Sequence, residues 1–292
     1  MRGNAAQHEL IAPGSLPAVL DLLSSAPGEW TPIAGGTELM VAFAAGRLTA
    51  SRLVSLWGIE ELRFITTTPG ELVIGGGSTF SDLRACAAVA ADFPLLDKSA
   101  SWIGSIANQT RATVGGNLVN GSPAADSSPA LLVYDAEIEL ISTRGKRRLP
   151  YREFHTGYKQ NAMTADELLY AVHLPRRFAQ HHQYLRKVGT RRAMAISKVA
   201  LGATTLIKNG AINEIRAAAA SLAPFPARLF KTEAVLAGKS PSTGVIQAAR
   251  QALLAEAQPI DDIRSNAHYR KSVGANLLEE FLLGLNREIE TR

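Results

Sequence analysis

The stretch RATVGGNLVNGSPAAD, residues 111–126, is the most informative part of the sequence. Glycine, small hydroxyl and amide side chains occupy much of it, and a single carboxylate, Asp126, ends it. Such residues form turns that expose backbone amides, because glycine lets a ligand approach the main chain closely. The stretch therefore predicts an anion-binding turn in which Asp126 accepts hydrogen bonds from ribose hydroxyls. The alternative is an ordinary loop in which Asp126 caps a helix that begins near Pro129.

A shorter turn of the same kind lies about 80 residues earlier, in IAGGTELM, residues 33–40. Its pattern is a short strand, a Gly35-Gly36 turn and the start of an apolar helix. Free amides at such a turn attract phosphate oxygens, and the hydroxyl of Thr37 adds a further donor. The spacing matches neither the three spaced glycines of a dinucleotide fold nor the lysine loop of nucleoside triphosphatases. Taken alone, such a Gly-Gly pair is more often only a turn. A third turn, GGGS at residues 75–78, is expected to be a close backbone crossing without a direct role in binding.

Length and composition are those of a globular protein. The 292 residues suffice for two domains, with 46% hydrophobic and 20% charged side chains. The apolar runs are too short for a membrane span, and residues 1–10 lack the apolar segment of a secretory signal, so we expect a cytoplasmic protein that binds no membrane. Cys86 is the only cysteine, which excludes an internal disulfide and an iron–sulfur cluster built from this chain's thiolates. The six histidines show no metal-ligand spacing, so no metal site is expected.

The net charge of +5 suggests an anionic partner, of which nucleic acid is one class. The basic residues are dispersed, however, and their densest clusters, residues 144–148 and 186–192, contain few aromatic side chains for stacking bases. We therefore expect no nucleic-acid partner. The charge is better explained by a solvated basic face, or by a surface for an acidic subunit or a dinucleotide.

Hydrophobic periodicity predicts a change of architecture along the chain. Before residue 176, helices are predicted at 15–24, 38–45, 80–91 and 93–107, and strands at 30–34, 52–56, 63–67, 71–74, 137–142, 147–149 and 168–174. After it, strands at 196–207 and 212–219 flank Asn209-Gly210, the strongest hairpin signal, and helices follow at 230–237, 245–257 and 266–287. This places a domain boundary near residue 177, between a mixed α/β part and an antiparallel sheet that carries helices.

The two glycine turns, in this order and at this spacing, resemble the flavin subunits of molybdenum hydroxylases, a family that includes xanthine dehydrogenase, aldehyde oxidoreductases and carbon monoxide dehydrogenase. The resemblance continues in FHTGYK at residues 154–159, in DELL at 166–169 and across 186–199, and so spans most of residues 15–200. It implies an α+β fold. An FAD-binding domain of two α/β lobes would cover residues 1–177, with the lobes split near residue 60, and an antiparallel sheet with helices would cover 178–292.

The resemblance also implies which residues hold the cofactor, FAD. Ala34–Leu39 would wrap the pyrophosphate, Ala112–Gly116 would add backbone donors, and Leu169 and Lys187 would lie near the flavin ring. Asn117, Ser122 and Asp126 would hold the ribityl, ribose or phosphate part. The full set of expected cofactor-binding residues is Ile33, Ala34, Gly35, Gly36, Thr37, Glu38, Leu39, Met40, Ile103, Ala112, Thr113, Val114, Gly115, Gly116, Asn117, Ser122, Asp126, Leu169 and Lys187. No catalytic side chain is expected, because the isoalloxazine ring supplies the redox chemistry.

The function implied by the resemblance is electron transfer within a complex. A large subunit would hydroxylate the substrate at a molybdenum cofactor, and a small subunit would carry electrons through iron–sulfur clusters to this FAD. The acceptor would be NAD, oxygen, a quinone or a carrier protein, and it stays open because many relatives have an acidic residue where this sequence has Ala195. Two alternatives remain: a self-sufficient FAD-dependent oxidoreductase of the same superfamily, and a non-catalytic module that binds nucleotides or nucleic acid.

Overall fold

The computed structural model describes residues 3–191 and 194–290, apart from the side chains of residues 288 and 290. Helices and strands alternate in the first half, and a long antiparallel sheet followed by helices forms the second. The helices are α1 (Leu16–Ser25), α2 (Leu39–Ala44), α3 (Phe80–Ala85), α4 (Ala87–Asp92), α5 (Pro94–Ala100), α6 (Ile106–Gln109), α7 (Val114–Val119), α8 (Ser128–Val133), α9 (Phe230–Leu236), α10 (Thr243–Glu256) and α11 (Ala267–Glu290). Across the described residues, no helix combines the length and the apolar character that a membrane crossing requires.

Within the described residues, the strands form three sheets and one hairpin. Their bounds are β1 (Glu9–Ile11), β2 (Thr31–Ile33), β3 (Arg52–Ser55), β4 (Ile65–Thr67), β5 (Glu71–Gly75), β6 (Glu137–Ser142), β7 (Gly145–Pro150), β8 (His155–Gly157), β9 (Gln160–Asn161), β10 (Leu168–Pro175), β11 (His182–Val188), β12 (Val199–Lys208), β13 (Ala211–Ala220) and β14 (Ala227–Arg228). We call the sheets A (β1-β3-β2), B (β4-β5-β10-β6-β7) and C (β11-β12-β13-β14).

Sheet A is parallel, and helix α1 packs with it in one core cluster. Ser15 caps this helix as predicted, since its hydroxyl accepts a hydrogen bond from the amide of Ala18. The apolar side chains of α1 recur at helical spacing and are buried against Trp30, Val54 and Ile59 in one core cluster. Strand β2 of this sheet leads directly into the first glycine turn.

Sheet B is antiparallel, with β10 at its centre and helices α3, α4, α5, α7 and α8 packed into its core. Two predicted helices are wrong in their continuity. The helix predicted at 80–91 is broken at Cys86, whose ψ of 111° is extended, and the one predicted at 93–107 ends in α5 and resumes as α6 beyond Gly104, whose φ is 51°. Apolar periodicity does not reveal either break, because α3, α4 and α5 all bury apolar side chains in the same core.

Sheet C is antiparallel and its long hairpin, β12 and β13, turns at Asn209-Gly210 as predicted. Both turn residues have positive φ, 51° and 71°, which is the conformation that a two-residue hairpin requires and that this dipeptide tolerates. Helices α9, α10 and α11 bury their apolar faces against this sheet in a separate core cluster. Strand β11, which the sequence pattern did not predict, forms the edge of sheet C.

Helix α8 connects the first half of the chain to sheet C. All six of its residues are buried, and it packs against β12, β13 and β14. Just beyond its end, the Asp135 carboxylate accepts hydrogen bonds from Arg177, Arg216 and Arg228 at 2.6–2.8 Å. Arg228 also donates twice to the carboxylate of Glu233, at 2.6 and 2.7 Å. This largely buried ion network fixes the end of α8 on sheet C.

Replacing Arg228 with alanine is expected to lower the free energy of unfolding by about 3 kcal/mol, because it leaves the buried carboxylate of Glu233 without its cation. The matched control is Arg152→Ala, which removes an ion pair with Glu153 in which both side chains are about half exposed. That variant should lose less than about 0.5 kcal/mol. Urea unfolding followed by circular dichroism measures both values, and equal losses would contradict the assignment of Arg228 to a buried network.

Candidate functional site

The two glycine turns lie directly against each other. A Cβ built on Gly35 would fall 1.6 Å from the carbonyl oxygen of Arg111, so only glycine allows these two backbone segments to touch. A Cβ built on Gly116 would lie 4.0 Å from the Cβ of Ala34. The guanidinium of Arg111 stacks over the ring of Trp57 at 3.8 Å, which ties the contact to the loop after β3. The structure therefore brings the two sequence motifs together at one place.

The first turn presents backbone N–H groups that have no acceptor within the described residues. Gly36 has a φ of 74°, and helical hydrogen bonding begins only where the amide of Met40 donates to the carbonyl of Gly36. The amides of Gly35, Gly36 and Thr37 donate to no described group. Successive free amides around a left-handed residue form a concavity that attracts anions. These three amides lie within residues 34–39, the segment that was expected to contact a pyrophosphate.

The second turn uses most of its amides internally, which differs from the expectation that Ala112–Gly116 would supply donors. The Val114 amide donates to Ser78 and the Gly115 amide to Gly76, both at 2.9 Å. The Gly116 amide donates to the hydroxyl of Thr113, which caps α7. Within this segment only the Thr113 amide lacks an acceptor among the described residues. The second turn therefore acts mainly as a wall that faces the first turn.

The third glycine turn supports the second one, as the sequence predicted. A Cβ on Gly76 would lie 2.2 Å from the carbonyl oxygen of Leu169, and one on Gly115 would lie 2.7 Å from the carbonyl oxygen of Gly76. Three main-chain segments, β10, the GGGS turn and α7, therefore cross at van der Waals distance. The backbone of Leu169 contacts the GGGS turn in this stack, whereas its side chain is buried in the core of sheet B.

A cleft opens between the turns, and it is lined by Ala34, Leu56, Trp57, Ile59, Arg63, Gly77 and Thr113. Other expected residues lie around it at different depths. Met40 is half exposed on α2, and its side chain approaches Gly36. The Glu38 carboxylate lies 3.6 Å from the ammonium of Lys159, in the β8–β9 hairpin. Ile103 instead packs against the core of sheet B, among the same residues as Ala112 and Val114.

Asp126 links the continuation of the second turn to sheet C. Its Oδ2 accepts a hydrogen bond from Lys187 Nζ, and its Oδ1 accepts one from the Ser197 hydroxyl, both at 2.5 Å. Burial raises the pKa of the Asp126 carboxyl above its usual value, and the charge and hydrogen bond of Lys187, with the hydrogen bond of Ser197, oppose that rise. The N-cap of α8 is Ser127, so the alternative in which Asp126 caps this helix is wrong.

Lys187 was among the expected site residues, whereas the two serines that also hold Asp126 in place were not predicted. Ser197 donates to it directly, and the hydroxyl of Ser221 donates to the carbonyl of Ser197 at 3.2 Å. The Ser221 amide also donates to the carbonyl of Pro123 at 2.8 Å, with a φ of 65° that serine rarely adopts. No pattern in the sequence marks these serines, because their partners lie far away along the chain.

Asn117 and Ser122, which were expected at the site together with Asp126, form hydrogen bonds with residues nearby in the sequence. The Asn117 side-chain oxygen accepts a hydrogen bond from the Ser127 hydroxyl at 2.7 Å. The Ser122 hydroxyl accepts one from the amide of Ala124 at 3.3 Å. Ala195 lies in the loop before β12, and its neighbours Arg192 and Ala193 are outside the described residues.

Replacing Gly35 with alanine is expected to destabilise the fold by about 2 kcal/mol, because the new methyl group overlaps the carbonyl of Arg111 and one turn must move. Gly58→Ala is the matched control, since a Cβ at that exposed turn meets nothing within 4 Å. Its free energy of unfolding should change by less than about 0.5 kcal/mol. Urea unfolding of both variants tests the contact, and an alanine tolerated equally at the two positions would show that the turns do not touch.

Comparisons with known proteins cover both halves of the chain. Residues 6–177 match the family described as FAD binding domain in molybdopterin dehydrogenase, and residues 184–285 match the CO dehydrogenase flavoprotein C-terminal domain. The xanthine dehydrogenase FAD-binding subunit of Escherichia coli O157:H7 is 31% identical over 240 residues, which is 82% of each chain. The carbon monoxide dehydrogenase medium chain of Hydrogenophaga pseudoflava is 26% identical over 282 residues, covering 94% of this chain and 96% of that one.

A solved structure of carbon monoxide dehydrogenase from Hydrogenophaga pseudoflava gives the same result in three dimensions. It aligns with a TM-score of 0.90 at 25% identity and covers 96% of both chains. The α+β fold class expected from the sequence is therefore confirmed, and so is FAD as the cofactor. The chain belongs to the family of FAD-binding subunits of molybdenum hydroxylases, and it acts as the flavin-carrying part of an oxidoreductase complex.

Proposed function

We propose that this chain passes electrons from the iron–sulfur clusters of a small partner subunit through FAD to an external acceptor. In this proposal a large partner subunit hydroxylates the substrate at a molybdenum cofactor. The names of the relatives support the assembly, since one is a medium chain and another an FAD-binding subunit. The observation that carries the proposal is the set of free amides at Gly35–Thr37 pressed against a second glycine turn.

The residues present fit an FAD pyrophosphate at the first turn. A diphosphate needs several donors and close approach to the main chain, and residues 34–39 offer both. We assign the expected set from Ile33 to Lys187 to FAD on this basis, apart from Ile103, which packs against the core of sheet B. Ala112 and Val114–Gly116 would contact FAD through their shape rather than by donating hydrogen bonds. Asn117, Ser122 and Asp126 follow the second turn along the chain, and Asp126 contacts Lys187.

When bound, the isoalloxazine ring accepts and releases the electrons. The chain's own residues bind and orient it. Lys187 is the cation that we assign beside the ring, and its ammonium is held by Asp126 in a largely buried ion pair. A fixed positive charge stabilises negative charge that develops nearby, at no cost in reorganisation. When the flavin is oxidised, the negative charge of Asp126 compensates the positive charge of Lys187.

Two further assignments belong to the proposal. The chain divides near residue 177 into an FAD-binding domain, itself split near residue 60, and a C-terminal domain whose sheet and helices share a core cluster of their own. The complex works in the cytoplasm, and its acceptor is NAD, oxygen, a quinone or a carrier protein. Because residue 195 is alanine, the loop before β12 lacks the carboxylate that many relatives have there. This lowers the repulsion of an anionic acceptor.

The full-length chain, freed of bound cofactor and then incubated with FAD, is expected to take up one flavin and absorb near roughly 450 nm. Gly36→Asp should abolish uptake, because it adds a carboxylate beside the pyrophosphate. Gly36→Asn is the matched control: it has the same size, and asparagine tolerates the left-handed φ of 74° at this position. Asparagine should therefore retain more binding than aspartate, and stoichiometric FAD in the aspartate variant would refute the assignment of this turn.

Purification of the chain at its natural level should bring two other subunits with it, together with molybdenum and iron. Metal analysis and sodium dodecyl sulfate electrophoresis measure this outcome. The isolated chain with FAD should not oxidise a substrate by itself, because the substrate pocket is assigned to the large subunit. Steady turnover by the single chain would instead favour a self-sufficient flavoenzyme of the same superfamily.

A further inference from the structure

Asp126 is a carboxylate with very little access to water, and only 7% of the residue is exposed. A buried carboxylate is costly unless both oxygens find donors. Lys187 satisfies Oδ2, and the matching donor for Oδ1 is the hydroxyl of Ser197. Both donors come from the chain segment of sheet C, whereas Asp126 follows the second glycine turn. The carboxylate is therefore held from one side by two donors of different kinds.

Ser197 is itself held in place by a hydrogen bond from Ser221. It is fully buried, and its carbonyl accepts the hydrogen bond from the hydroxyl of Ser221. Ser221 adopts a left-handed φ, a conformation that costs serine energy and persists only where the surroundings impose it. The same residue holds Pro123 through its amide. The two serines thus fix both the start and the end of the segment 123–126.

This support is continuous with the flavin turns. Ser127, next to Asp126, donates to the side chain of Asn117, and Asn117 directly follows the Gly116 that faces Ala34. A displacement of Asp126 would therefore shift the second turn as well as Lys187. Among the described residues, the Ser197 hydroxyl is the one donor to Asp126 that can be removed without replacing Lys187 or a residue of the second turn.

We propose that Ser197 is a positioning residue of the flavin site, whose hydroxyl holds the Asp126 carboxylate and, through it, the Lys187 ammonium in the place where Lys187 meets bound FAD. This inference rests on the proposed function and deepens it. Without the hydroxyl, Oδ1 of Asp126 is buried and unsatisfied, so the carboxylate turns towards water or draws Lys187 with it. Either movement takes the ammonium away from the place assigned to the flavin.

The test uses the full-length chain and titrates FAD by flavin fluorescence. Ser197→Ala is expected to raise the FAD dissociation constant about tenfold, which is the loss of one hydrogen bond to a charged group. The midpoint potential of the bound flavin should shift to a more negative value, because the cation that favours reduction is less well placed. Ser99→Ala is the matched control: Ser99 is also fully buried, and its hydroxyl donates only to the carbonyl of Leu96. It should leave both readings unchanged.

A double-mutant cycle separates positioning from a loss of packing. If Ser197 acts through Asp126, then Ser197→Ala should have no further effect on FAD binding in a chain that already carries Asp126→Ala, which removes the oxygen that accepts the Ser197 hydrogen bond. If Ser197→Ala does not fold, Ser197→Cys replaces it, since a thiol fills the space and donates weakly, and its effect should lie between wild type and alanine. An affinity of the Ser197 variant within about twofold of the Ser99 variant, or equal losses in both backgrounds, overturns the proposal. A wild-type chain that takes up no FAD would instead overturn the proposed function itself.

Discussion

Two backbone segments, at Gly35 and Arg111, approach so closely that no side chain fits between them, and the proposed flavin site depends on that contact. The amides of Gly35–Thr37 lie at this contact and have no acceptor among the described residues. The second segment is in turn held by the crossing of Gly76 with Gly115 and Leu169. Glycine is needed at each crossing because main chain meets main chain. The site is thus built mainly from backbone, and the side chains adjust it.

A second constraint acts across the chain. Helix α8 is buried on all sides, and ion pairs on both flanks join it to sheet C: Asp126 with Lys187 before it, and Asp135 with three arginines after it. Losing one partner of a buried pair leaves an uncompensated buried charge, which is costly, so these pairs keep their partners in contact. The position of Lys187 relative to the glycine turns is therefore fixed by charges at both ends of one short helix.

The sequence predicted the parts of this structure that depend on local chemistry. Ser15 with its helix, the Asn209-Gly210 hairpin and the role of the GGGS turn as a crossing all follow from nearby residues. The breaks at Cys86 and Gly104, the edge strand β11 and the partners of Asp126 do not, because they are set by contacts distant in the chain. The amides of Val114 and Gly115 illustrate the limit, since their acceptors belong to another turn.

The ion pair of Asp126 with Lys187 has a consequence for how this subunit can change over generations. One partner precedes residue 177 and the other follows it, so each half of the gene supplies one charge of a buried pair. Recombination that joined the halves of two diverged relatives would leave a lone buried charge wherever only one parent had kept its partner. The two halves must therefore be inherited as a matched unit.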